Sequence, residues 1–419
     1  MVPKDPCSPA REPSGNECSG ARDRPACEIR NTPSKYALIA AAAILLVHVL
    51  LLGLSAVRHS PVRDELGHLP AGISHWQYGR FELYRVNPPL VRMVAALPVM
   101  LAGCQTDWRA FDSDLHERCE YAVGRDFVTA NGPRAFWLYT LARWTCIPFS
   151  LLGAVVVFLW SRELYGVKAG LAAMTLWCFS PDILGHGSLM MPDAAAAATG
   201  AAAGYTFWRW LRSGSLRSAI LAGVFLGLAL LTKLTWVFLL VLLPAIWFMW
   251  QVRSNKLRIP TLLGRSLSHL ALVLGIGLGI LNMGYGFRGS LMPLGEMQFV
   301  SRALAGEAAQ VHGGCGNRFA GTWLGALPLP VPCDYLQGID IQRSDFEREH
   351  WSYLGGRWQL GGWWFYYLYG LAVKIPLAFW VLVALAATMS VWGKQRVGQL
   401  SDELVLAAPA ALVLIIVSS

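Results

Sequence analysis

The sequence predicts an all-α integral membrane protein, a bundle of about nine transmembrane helices with interfacial helices in its first outer loop. Three observations predict it. Only 15% of the 419 residues are charged and the mean hydropathy is +0.42, whereas soluble domains carry about 25% charged residues. The apolar residues come in long blocks: positions 36–57 hold no Asp, Glu, Lys or Arg, which is enough helix to cross a hydrocarbon core about 30 Å thick. The short loops between blocks are basic, as cytoplasmic loops are.

Taken in order, residues 1–35 are polar and rich in Pro, Ser and Gly, a composition that predicts a disordered cytoplasmic tail. Residues 36–57 form an uncleaved first span, too long and too late for a signal peptide. Residues 58–141 make a first extracytoplasmic loop with nine Arg balanced by nine acids. Within it, 63–78 reads as an interfacial helix ending at Gly79, and 88–103 as a second one lying on the outer face. Asn87 caps the second helix and Pro88 or Pro89 opens it. Further spans are expected at about 144–160, 169–184, 194–208, 218–232, 234–250, 266–287, 363–392 and 404–419.

The loops at 209–217 and 251–265 carry only basic charge, through Arg209, Arg212, Arg217, Arg253, Lys256, Arg258 and Arg265, and Lys394 and Arg396 follow at 393–398. This accounts for the net charge of +9 as a topology signal and leaves no basic surface for nucleic acid. The N-terminus and these loops then face the cytoplasm, and 288–362 is a second large extracytoplasmic loop. The whole of 36–419 reads as one transmembrane domain. It stops inside an apolar run, which reads as a C-terminal truncation. Small-residue faces such as Gly223/Gly227 predict close helix packing. Cys104, Cys119, Cys315 and Cys333 fall in the outer loops, where neighbour pairing would give two disulfides. Cys7, Cys18 and Cys27 in the tail follow no zinc spacing.

Ionisable residues gather at the outer face. Asp64 and Glu65 follow the first span, and Asp64, His68 and His75 would share one helical face. His186 and Asp193 sit on an outer turn before an alanine-rich span, and Lys233 and Lys374 lie near or within apolar segments. The structural alternatives are helix-dipole acids for Asp64 and Glu65, an N-cap for Asp193 and a snorkelling amine for Lys233. Ionisable groups at a membrane boundary are by default functional candidates.

Asp64-Glu65, YRVNPPL at 84–90, HGxxxxPD at 186–193, LAGVFLGLALLTKLT at 221–235 and GGWWFYYLYGLAVKIPL at 361–377 together resemble the C-type membrane glycosyltransferases (GT-C). The nearest branch holds the protein O-mannosyltransferases and aminoarabinose transferases. The resemblance implies inverting transfer of a sugar from a polyprenyl-phosphate donor to a lipid, glycan or protein acceptor, on the outer face of the cell (inner) membrane. It maps the general base onto Asp64, with Glu65 and Asp193 as companion acids. The leaving phosphate needs cationic stabilisation, for which Arg63, Arg92, Lys233 and Lys374 are candidates, with His186 and Asn87 as further substrate-binding groups. A divalent metal could serve instead, with His68 and His186 as available ligands.

Two departures limit the carry-over. Asn87-Pro88 stands where the aminoarabinose branch has Glu-Lys, and the chain stops before the Arg-containing motif of a later span. The competing readings are a secondary transporter, for which the sequence shows no repeats, and a non-catalytic membrane subunit.

Overall fold

The computed structural model describes residues 33–254, 260–306, 314–348, 350–392 and 400–418. The tail cysteines, Lys256, Arg258, Lys394 and Arg396 lie outside the described residues. The first helix, α1 (Lys35–Arg58), starts where the Ser34 hydroxyl accepts from the Ala37 amide, and its leucines at 46, 50 and 54 remain exposed. Its one polar side chain at mid-span, His48, is buried and bonds the Ser150 hydroxyl at 2.9 Å. A polar group in hydrocarbon needs such a partner.

The segment after α1, expected as the first outer loop, folds into a lobe of helices. α2 (Arg63–Tyr78) is followed by Gly79 at φ +61°, then come α3 (Leu90–Leu101) and α4 (Glu120–Asn131). Residues 65–75 of α2 are buried apart from the half-buried Leu66. α2, expected as an interfacial helix, is the core of the lobe, covered by α3 and α4. Glycine permits this. A Cβ at Gly72 would stand 2.1 Å from the Arg92 carbonyl oxygen, and one at Gly124 2.3 Å from that of Leu66. The helix expected at 88–103 starts at Leu90, after Pro89. Asn87 does not cap it; its carbonyl accepts from Arg92 instead.

α5 (Arg134–Trp144) and α6 (Ile147–Tyr165) run as one apolar stretch, so the second crossing begins ten residues before the apolar block starts. α7 (Val167–Cys178) and the short α8 (Pro181–His186) lead to α9 (Pro192–Ser213), an Ala-, Gly- and Thr-rich helix buried along most of its length between α6 and α10 (Leu216–Leu230). A 3₁₀ turn at Leu234–Phe238 then runs into α11 (Leu239–Arg253), and α12 (Pro260–Gly284) follows. The small-residue faces are packing faces. Cβ atoms at Gly223 and Gly227 would meet Ile276 and Ile280 of α12 at 2.8 and 2.6 Å.

Among the described residues, four stretches are long and apolar enough to cross a membrane: Lys35–Arg58, Arg134–Tyr165, Leu234–Arg253 and Pro260–Gly284. The apolar blocks expected as spans three and five fold as α7 and α10, which at 1.5 Å per residue are only about 18 and 22 Å long. Span eight is not straight. α15 (Tyr366–Lys374) and α16 (Leu377–Trp392) meet at 102° across Ile375-Pro376, because proline cannot continue the ladder. This pair would count as a fifth crossing. α17 (Leu400–Ser418) closes the chain.

The second outer loop holds the single turn α13 (Arg302–Ala305), α14 (Cys333–Glu347) and a hairpin of β1 (Trp351–Leu354) and β2 (Arg357–Leu360), paired antiparallel with Trp351 opposite Leu360. It docks on the first loop through Arg85–Asp334 at 3.2 Å, Arg118–Asp345 at 3.0 Å and Arg288–Glu82 at 3.7 Å. All six described cysteines are unpaired. The expected Cys104–Cys119 and Cys315–Cys333 bonds are not formed. Cys119 instead contacts Asp112, and the Cys315 sulfur lies 3.7 Å from His116 Nε2.

Candidate active site

Asp64 and Glu65 open α2, and the fold treats them oppositely. Asp64 is half-buried and accepts one hydrogen bond, from the Tyr121 hydroxyl at 2.9 Å. Its other oxygen has no partner among the described residues. Tyr121 lies 3.3 Å from the Tyr84 hydroxyl and carries the Arg63 guanidinium over its ring at 4.7 Å. Burial, together with the neighbouring hydroxyl and carboxylate, pushes the Tyr84 phenol far above its usual range. It therefore stays protonated and fixes the Tyr121 hydroxyl that orients Asp64.

Glu65 is fully buried and saturated. Its oxygens accept from Arg143 Nε at 2.9 Å and Nη2 at 2.6 Å, from the Val62 amide at 2.9 Å and from the Met190 amide at 3.0 Å. Arg143 spends its remaining donors on the carbonyls of Ala56, His59 and Ser60. The pair thus ties the end of α1, the start of α2, α5 and the turn before α9 together.

That turn carries Asp193. It is not the cap of α9; Met191 is, with Pro192 at the first helical position and Asp193 in the first turn. Asp193 instead pairs with Lys233 at 2.6 Å, and both side chains keep more than a third of their surface exposed (40% and 37%). Lys233 sits where α10 gives way to the 3₁₀ turn, and the Leu231 carbonyl beside it accepts the Leu90 amide. The Glu65–Met190 bond and this Leu90–Leu231 bond bring the Asp64 lobe and the Asp193–Lys233 pair to the same end of the bundle.

The other candidates divide. His186 is exposed at the end of α8. Arg92 is buried, donating to the Tyr84 carbonyl at 2.9 Å and the Asn87 carbonyl at 2.6 Å, so it braces the 84–87 turn, and burial lowers it to about 10. His68 is buried against the Tyr84 ring, centroids 4.4 Å apart, and does not meet His186; among the described residues no three His, Cys, Asp or Glu side chains gather around one point. Lys374 ends α15 at the 102° break and is exposed there. Sequence reasoning passed over Tyr121 and Arg143. Arg143 alone could have been found, as a charge at the mouth of an apolar block.

Residues 139–276, about a third of the chain, match the family model of the dolichyl-phosphate-mannose-protein mannosyltransferases. The match runs from α5 through most of α12 and contains the Asp193–Lys233 pair, with Asp64 upstream of it. No curated protein and no solved structure matches the chain. With its mainly helical architecture and candidate membrane spans, the chain is thus similar, over that third of its length, to the membrane glycosyltransferases of the protein mannosyltransferase type.

Proposed function

We propose that the protein transfers a sugar from a polyprenyl-phosphate donor to a hydroxyl of a glycan, lipid or protein acceptor, inverting the anomeric centre, on the extracytoplasmic side of the cell membrane. The observation that carries the reading is Asp64: a half-buried carboxylate held by one phenol, with one oxygen free for a substrate. In the proposed step the acceptor O–H gives its proton to that free oxygen. The acceptor oxygen attacks the anomeric carbon from the face opposite the phosphate. The carbon–oxygen bond to the phosphate breaks, and the phosphate leaves with the bonding pair. A single displacement inverts the centre. Lys233 and Arg63, both accessible, supply positive charge for the leaving phosphate, where preorganised cations are worth most. Glu65 positions rather than reacts, since all its accepting capacity is used.

The experiment compares two neighbouring isosteric variants in a radiolabelled transfer assay with a panel of polyprenyl-phosphate sugars. Asp64→Asn should fold normally, retain donor binding and lose about 10² to 10⁴ in transfer rate, the range for a positioned base. Glu65→Gln leaves the buried Arg143 charge without its partner and should cost about 3–5 kcal/mol of stability, read as a lowered thermal midpoint in detergent. Wild-type transfer rates in Asp64→Asn would overturn the assignment.

A further inference from the structure

At the far end of α9 from Asp193 lies a second site, outside the machinery above. Twenty-two helical residues separate the two ends, about 33 Å at 1.5 Å per residue. There the last turn of α9, the Gly214-Ser215 turn that follows it, the end of α11 and the start of α12 line a cavity of about 360 Å³. Its walls include Arg212, Arg265, His269, Trp210 and Trp250, and among the described residues no Asp or Glu lines it. Neither arginine forms an ion pair among the described residues; Arg212 lies over the Trp208 ring at 5.1 Å. The Trp210 indole N–H points at His269 Nδ1 at 3.4 Å. Nδ1 is then the acceptor, which places the imidazole proton on Nε2 as a further donor.

The floor is built. Gln251 is buried, and both it and the Trp247 indole donate to the Ser266 hydroxyl, the latter at 2.7 Å. Gly214, at φ +61°, turns the chain tightly enough to set Arg212 and Ser215 on the same rim. One wall is apolar and open: Leu262 lines the cavity and is 46% exposed.

Unpaired guanidinium groups match phosphate oxygens with two parallel bonds. Basic pockets between membrane helices, on the cytoplasmic side, take anionic lipid headgroups. The basic residues that line this cavity, Arg212 and Arg265, belong to the two all-basic segments of the sequence, which point it to that side. We propose that it binds the phosphate headgroup of an anionic phospholipid, whose acyl chains leave over Leu262 while Trp210 and Trp250 meet the glycerol region. The open apolar wall favours a lipid over a soluble phosphate, and the volume suits a headgroup alone.

The test is native mass spectrometry of the full chain in detergent doped with dioleoylphosphatidylglycerol or dioleoylphosphatidylcholine. The wild type should retain the first lipid in preference to the second, and 10 mM inorganic phosphate should not displace it. Arg212→Gln/Arg265→Gln should weaken retention by about tenfold or more, the scale of losing charged hydrogen bonds. Arg217→Gln, in the first turn of α10 near the same rim but outside the cavity, should not. Equal retention of both lipids by the wild type, unchanged retention in the double variant, or displacement by inorganic phosphate would overturn the proposal. If the double variant fails to fold, Arg265→Lys decides. It keeps the charge and loses the paired bonds, so it must bind measurably less phosphatidylglycerol, and undiminished retention refutes the idea.

Discussion

Asp64 and Glu65 show how much one step along a helix changes a carboxylate. A rotation of about 100° carries the second into the Arg143 clamp and leaves the first facing the open side of the lobe. Beneath them His68 and His75 are buried, and burial first, then the Arg92 charge, holds both imidazoles well below the usual histidine range. His75 donates from Nδ1 to the Arg80 carbonyl at 2.6 Å, so its Nε2 is bare and buried without a partner. The native state keeps both rings neutral while the unfolded chain takes up protons near pH 6.5. Their stabilisation is therefore whole above about pH 6.5 and is lost as pH falls below it, at up to about 1.4 kcal/mol per pH unit for each ring. Thermal midpoints at pH 7.5 and 5.5, followed by tryptophan fluorescence, should fall with acid in the wild type and fall less in His75→Gln. An equal drop in both would refute this.

At the scale of elements, the apolar blocks of the sequence located most helices well and their surroundings poorly. The block at 36–57 is α1 to within a residue at each end, and the segment at 88–103 is α3 shortened by two at each end. Nothing in the sequence of α2 distinguishes a helix lying on a membrane from one buried in a lobe, because both carry a single apolar stripe. Its glycines held the clue. With 2.1 Å between a Gly72 Cβ and the Arg92 carbonyl, Gly72→Ala must push α3 away and should cost about 1–3 kcal/mol, the usual range for overpacking. Gly53→Ala in α1 meets nothing within 4 Å and should leave the thermal midpoint unchanged. Equal midpoints for the two variants would contradict the close approach of α2 and α3.

For the whole molecule, the two large loops form one body, since Arg85–Asp334 and Arg118–Asp345 link residues more than 200 positions apart. We propose that this body lies on the side of the membrane opposite the all-basic segments, as the charge asymmetry of the sequence suggests. Reporters active only in the cytoplasm should therefore work when fused after Arg212 and fail when fused at residues 105–135. Activity at residue 120 would reverse the sidedness and with it the proposed location of transfer.

The sequence by itself determined that the chain is a helical membrane protein, where its apolar helices run, which loops are basic and which acids stand at the ends of apolar helices. These follow from composition, block length and local charge, which need no partner. The tertiary structure alone decided that Glu65 is locked to Arg143 across 78 residues, that Lys233 meets Asp193 across 40, and that Tyr121 holds Asp64 across 57. It also decided which arginines are buried braces and which line a cavity. A side chain's partner is set by how helices cross, and the glycines and alanines that let them approach leave no periodic mark of whom they approach.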